Sequence, residues 1–172
     1  MSDSIDIYCI GGRPGVRAAS TVGKQLHPFS LSIANVADMA DKVVWVCRSS
    51  GKRLGELTIV DHGSALGQWM GSDWVDLKSL PTFQNHLQKL VILFGEEGLV
   101  TLGGCQQGQN DVLLTALSKI LNRPVRGFTA YQRPLAPGNQ GAETRCFVTC
   151  ARGEPDIWDK YIDPAVKRLL DL

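Results

Sequence analysis

Short apolar runs rich in Val and Ile, without clean alternation, recur along the chain: Ile5 to Ile10, Val43 to Cys47, Leu57 to Val60, Leu99 to Leu102, Val125 to Phe128 and Cys146 to Cys150. Runs of this length that are apolar at consecutive positions are the pattern of strands covered on both faces in a parallel sheet. Between them lie stretches of helical period. Val112, Leu113, Ala116, Leu117, Ile120 and Leu121 form one broad stripe on a helix that stops before Arg123-Pro124. A second helix is predicted from about Thr82 to Phe94, with Phe83, Leu87, Leu90, Val91 and Phe94 on one side, and a third within residues 31 to 42. Near the C-terminus, Pro155 suits a first helical position, and Ile157, Trp158, Tyr161 and Ile162 supply a packing face. Asp163-Pro164 then reads as a cap and restart, with Val166, Leu169 and Leu170 continuing the apolar side. Strands alternating with helices predict an α/β fold with a mostly parallel sheet of about six strands flanked by helices. The long polar stretch from Ala130 to Thr144 reads as a loop, and long loops in compact domains are often functional.

Length and composition narrow the class. At 172 residues, 44% of them hydrophobic and 20% charged, the chain suits one globular domain spanning 1–172. A formal charge of +1 gives no basic excess to argue for nucleic acid and no polybasic run to argue for a membrane surface. The N-terminal MSDSIDIYCI has no positive region ahead of a long apolar stretch, so it does not read as a signal peptide. The longest apolar runs hold five residues each, against roughly 20 for a membrane-spanning helix. Five cysteines, an odd number and widely spaced, fit reduced thiols in a cytosol-like compartment better than a disulfide scaffold. The reading is therefore a cytoplasmic protein, or a domain of a larger exported one.

With only three histidines, His27, His62 and His86, any Cys/His chemistry draws on few combinations. In parallel sheets, catalytic groups gather beyond the carboxyl ends of strands. Leu57 to Val60 runs into Asp61-His62-Gly63-Ser64, and Leu99 to Leu102 runs into Gly103-Gly104-Cys105. A histidine and a cysteine thus emerge at equivalent ends of two strands, and neighbouring strands about 5 Å apart would bring them within reach. A thiol needs a base or an imidazolium partner to supply thiolate, and His62 can act so and then protonate a leaving amine. Gly63 lets backbone approach a substrate, with its N–H beside that of Cys105 as donors to a developing oxyanion.

Other candidates read as structure. Cys9 and Cys47 sit inside apolar runs and are expected in the core, His86 on a helix surface and His27 in a turn. Cys146 and Cys150, four apart on a strand, would lie roughly 13 Å from one another, too far to share an ion. Gly11-Gly12-Arg13-Pro14-Gly15 lacks the spacing of a dinucleotide or phosphate loop, and Ser64 does not sit in a G-x-S-x-G elbow.

An apolar strand ending in His-Gly, followed 43 residues on by Gly-Cys at another strand end, resembles the caspase-like cysteine peptidases, a clan of caspases, metacaspases, gingipains and separase-related domains. LTIVDHGSALGQWMG (Leu57 to Gly71) and LVTLGGCQQGQNDVLLTALSKILNRPVRGFTAY (Leu99 to Tyr131) are similar to the caspase-like module of large bacterial surface proteins. That module reads as strand, His-Gly-Ser, short hairpin, helix, strand, Gly-Cys, helix, strand. The resemblance covers roughly 57–131 and implies a caspase-like three-layer sandwich. It implies His62 as catalytic histidine, Cys105 as nucleophile, and the Gly63 and Cys105 amides as the oxyanion site. Peptide or protein is then the substrate, the chain itself included, and neither metal nor organic cofactor takes part. Caspases carry glutamine and metacaspases aspartate two residues before the cysteine, where this chain has Gly103. Arg13, after the first predicted strand, sits where caspases carry an arginine that reads an acidic residue, and Tyr131 and Arg133 fall in the candidate specificity loop. The alternative is an inactive caspase-like module that scaffolds a protein partner.

Overall fold

The computed structural model describes residues 3–13, 16 and 29–128, and the backbone of 147–150. The elements are β1 (Ser4–Gly11), β2 (Ser30–Ile33), α1 (Val36–Ser50), β3 (Arg53–Val60), β4 (Gly63–Ser64), β5 (Gly67–Met70), β6 (Asp73–Asp76), α2 (Leu80–Gln88), β7 (Phe94–Leu102), α3 (Asp111–Leu121), β8 (Val125–Phe128) and β9 (Phe147–Cys150). The fold is α/β. Five parallel strands run in the order β2-β1-β3-β7-β8, with β9 added antiparallel at the β8 edge, and β4-β5-β6 form a small antiparallel sheet.

Two sequence expectations are corrected. Val43 to Cys47 is not a strand but the middle of α1, and the helix expected within residues 31 to 42 begins at Val36, after β2 ends at Ile33, and runs on to Ser50. The physical reason is a stripe longer than the run itself. Val36, Met39, Ala40, Val43, Val46 and Cys47 are buried at helical spacing, while Trp45 is 69% exposed on the opposite side. The ends are set chemically. The Asn35 side chain accepts from Asp38 N–H at 2.8 Å, the Asp38 carboxylate accepts in return from Ala34 N–H at 2.8 Å, and Gly51 closes the helix at φ 66°.

The helix expected to reach Phe94 stops at Gln88. A short 3-10 turn over Val91–Leu93 follows, and Phe94 is already extended and opens β7. Three residues more on β7 than on β3 between the Leu54↔Phe94 and Glu56↔Leu99 pairs form a bulge around Gly95 to Gly98. Helix α3 lies where its stripe predicts, capped by Asn110, whose side chain accepts from Leu113 N–H at 3.0 Å. The C-terminal helix expected over 155–170 and the loop 130–144 lie outside the described residues.

The sheet has two unlike faces. Ile7, Cys9, Leu57, Ile59, Val100, Leu102 and Val125 join the apolar stripes of α1, α2 and α3 in one continuous core. The alternate positions include a polar row across the strands, Ser30, Tyr8, Thr58, Thr101 and Arg126, each the register partner of the next. Glu56 ties the row together. Its Oε1 accepts from Thr58 Oγ1 at 3.2 Å, Thr101 Oγ1 at 2.5 Å and Arg126 Nη2 at 2.9 Å, and Arg126 Nε donates to Thr101 Oγ1 at 2.8 Å. Burial, with Glu56 and Asp6 nearby, holds the Tyr8 phenol above its ordinary pKa.

Candidate active site

The chain leaves β1 for β2 on one side of the sheet and returns across it to β3 on the other, so strand order reverses at β1. In such sheets the carboxyl ends beside the reversal form a crevice. Gly12-Arg13 leaves β1 there, Asp61-His62-Gly63 leaves β3, and Gly103-Gly104-Cys105 leaves β7. Strands β3 and β7 are parallel neighbours with Ile59 opposite Leu102. His62 and Cys105 therefore each stand three residues beyond one rung. Pairing continues past it, since Gly103 N–H donates to Ile59 O at 2.7 Å.

Beyond that bond the two turns touch backbone to backbone. A Cβ on Gly63 would stand 3.2 Å from Gly104 Cα and 3.3 Å from Cys105 N, and a Cβ on Gly104 would stand 3.2 Å from Gly63 Cα. The structure thus brings His62, Gly63 and Cys105 together at one edge. His62 is exposed and Cys105 half-buried, whereas Cys9 and Cys47 are buried in the core as expected. Burial raises both core thiols, Cys9 most strongly, which keeps them protonated.

Backbone geometry supplies donors. Trp69 N–H donates to His62 O at 2.8 Å, so the opposed pair Gly63↔Gln68 is a non-hydrogen-bonded pair of the hairpin and the Gly63 N–H points away from β5. Directly after Cys105, Gln106 adopts the left-handed conformation at φ 58° and ψ 15°, which few residues other than glycine adopt. A 3-10 turn over Gln107–Gln109 then leads into α3. That left-handed residue turns the chain directly after Cys105.

Arg13 occupies the same edge but turns toward the protein. Its guanidinium carbon lies 3.3 Å from the centre of the Trp69 ring, and Trp69 meets Trp74 edge to face. Tyr131 and Arg133 lie outside the described residues. Among the described residues, no three His, Cys, Asp or Glu side chains gather in a way that could hold a metal ion.

Three site residues were missed in the sequence. Asp61 is buried, and its carboxylate accepts from His62 N–H at 2.8 Å and Gly71 N–H at 3.0 Å, joining the end of β3 to the end of β5. Burial raises its pKa, and the two N–H donors, His62 and Arg13 only partly offset that. Gln68 and Gln107 are buried as well and link the two turns. An ionisable residue ending an apolar strand is a readable signal for Asp61. Nothing local marks the glutamines, whose bonds between the two turns span 36 to 43 residues of sequence.

Comparison with models of protein families, with curated proteins and with solved structures finds no match.

Proposed function

We propose that the chain is a cysteine endopeptidase of caspase-like type, with Cys105 and His62 as its dyad. The observation that carries this reading is the shared rung: two neighbouring parallel strands deliver the only exposed-edge His/Cys pair among the described residues in register, with the turns behind them in contact. The order of elements supports it, since strand, His-Gly-Ser, hairpin, helix, strand, Gly-Cys, helix and strand follow one another as in the resembling modules.

In the proposed reaction, His62 takes the thiol proton as Cys105 Sγ attacks the scissile carbonyl carbon. The carbonyl oxygen becomes an oxyanion facing the N–H groups of Gly63 and Cys105. Collapse breaks the C–N bond, and the proton passes from His62 to the departing amine, leaving a thioester on Cys105. Water, deprotonated by His62, then attacks the thioester and releases the carboxylic acid with the thiol restored. The groups of the chain and water balance every step.

Substrate contacts are proposed from the residues that the resemblance singles out. Arg13, Tyr131 and Arg133 are the candidates for reading the residue beside the cut, with a peptide, a protein or the chain itself as substrate. The second reading, an inactive caspase-like scaffold, is favoured by one observation: Arg13 stacks on Trp69 instead of standing open toward the crevice. A fluorescent peptide library separates the two. Turnover by wild type that disappears in Cys105→Ala and in His62→Ala supports the peptidase, and full activity in either variant overturns it.

A further inference from the structure

We propose that Gln68 and Gln107 are positioning residues, a pair of buried amides that hold the His62 turn against the Cys105 turn; this rests on the dyad proposed above. Gln68 is 1% exposed and Gln107 fully buried, and a buried amide is costly unless its polar atoms are engaged. Gln68, on β5, spans the gap between the strands. Its Nε2 donates to Ile59 O at 2.9 Å, near the end of β3, and its Oε1 accepts from Gly104 N–H at 3.0 Å, in the turn that carries Cys105. Gln107 works from the other side. Its Nε2 donates to Ser64 O and to Gly67 O, both at 2.6 Å, tying the turn after Cys105 to the hairpin after His62.

Each amide sits where a side chain is missing beside the dyad. A Cβ on Gly104 would come within 2.6 Å of Gln68 Oε1, and a Cβ on Gly63 within 2.6 Å of Gln107 Nε2. The glycines are the seats and the glutamines the occupants. The arrangement also commits one amide of the turn, since Gly104 N–H donates to Gln68 Oε1. Among the described residues, Gln107 Oε1 is buried without a hydrogen-bond partner.

The test compares wild type, His62→Ala, Gln68→Met, Gln107→Met and Gln68→Glu in the full chain. Two readouts are taken: the pH profile of Cys105 alkylation by iodoacetamide, and kcat and KM on the best peptide of the library. Misplacement of a reacting group by about 1 Å costs on the order of 10²-fold. Each Met variant is therefore expected to lose about that much in kcat with KM little changed, and to move its alkylation profile toward that of His62→Ala. Gln68→Glu, whose buried protonated carboxyl accepts from Gly104 N–H and donates to Ile59 O, is expected to stay within about tenfold of wild type. It also serves if the Met variants do not fold, because its profile should then depart from wild type only above the pH at which the new carboxyl ionises. Met variants that fold and keep the wild-type profile and kcat overturn the positioning role while leaving the dyad intact. A His62→Ala profile identical to wild type overturns the dyad and the positioning role with it.

Discussion

Replacing Gly104 with alanine measures how tightly the two turns are pressed together. The added methyl would stand 2.6 Å from Gln68 Oε1, 3.0 Å from Gln68 Cδ and 3.2 Å from Gly63 Cα, so both a side chain and a backbone must move. Gln68 cannot swing away freely, because it is buried and bonded at both ends. Displacing it sacrifices two hydrogen bonds worth about 1 kcal/mol each, and residual crowding adds about 1 kcal/mol more. A loss of about 3 kcal/mol in a chain of this size lowers Tm by roughly 6–12 °C. Two other glycines calibrate the number. Among the described residues, a methyl at Gly95 would meet nothing closer than Arg53 Cβ at 3.7 Å, so the alanine variant should lie within about 0.5 kcal/mol of wild type. At Gly103 the nearest atom is Ile59 O at 3.1 Å, and an intermediate loss of about 1 kcal/mol is expected. Urea unfolding followed by tryptophan fluorescence gives the three values. Equal midpoints for Gly104→Ala and Gly95→Ala would refute the close contact of the turns.

Three further outcomes follow from the same geometry. Because the folded-state pKa of Asp61 is raised, its contribution to stability is full below the ordinary carboxylate value near about 3.9 and is lost as pH rises through the raised value. The stability difference between wild type and Asp61→Asn, measured by urea unfolding from acid to neutral pH, should therefore shrink with rising pH on top of a constant offset for the lost acceptor; a difference that grows contradicts the buried carboxylate. Among Cys9, Cys47 and Cys105, iodoacetamide should modify Cys105 first in the folded protein, with all three reacting together in guanidinium, as read by peptide mass mapping. A double-mutant cycle on Glu56 and Arg126, joined at 2.9 Å and about a quarter exposed, should give a coupling of about 1 kcal/mol that falls in high salt, and a coupling near zero would reduce the polar row to incidental contact.

How far the sequence could be read depended on where each signal lay. Helix α3 was legible because its stripe, Asn110 cap and Pro124 stop agree, and β1, β3, β7 and β8 because their apolar runs end in glycine or polar turns. Val43 to Cys47 misled because five apolar residues in a row suit a buried strand and a helix face equally, and only the cap at Asn35 and the stop at Gly51 tell them apart. Strand β2 was hidden because its four residues alternate serine with Leu31 and Ile33 too briefly to register. His62 and Cys105 were visible because parallel neighbours repeat the same strand-end logic. Gln68 and Gln107 were not, because their role depends on how the hairpin folds back over the Cys105 turn, which no local spacing encodes.

The polar row across the sheet has a metrical consequence for the crevice at its end. Thr58 and Thr101 are register partners, and counting four residues along each strand from that pair arrives at His62 on one side and Cys105 on the other. The threonines, locked through Glu56 and Arg126, are the common zero of two equal rulers. Length changes on the amino-terminal side of the row can be absorbed, as the bulge between Leu54 and Glu56 already does. A single residue inserted between Thr101 and Cys105 would leave the zero mark matched and carry the thiol about 3.3 Å out of level with His62. Variation in chain length before this row leaves the level of His62 and Cys105 unchanged, whereas variation after it on one strand alone shifts one against the other.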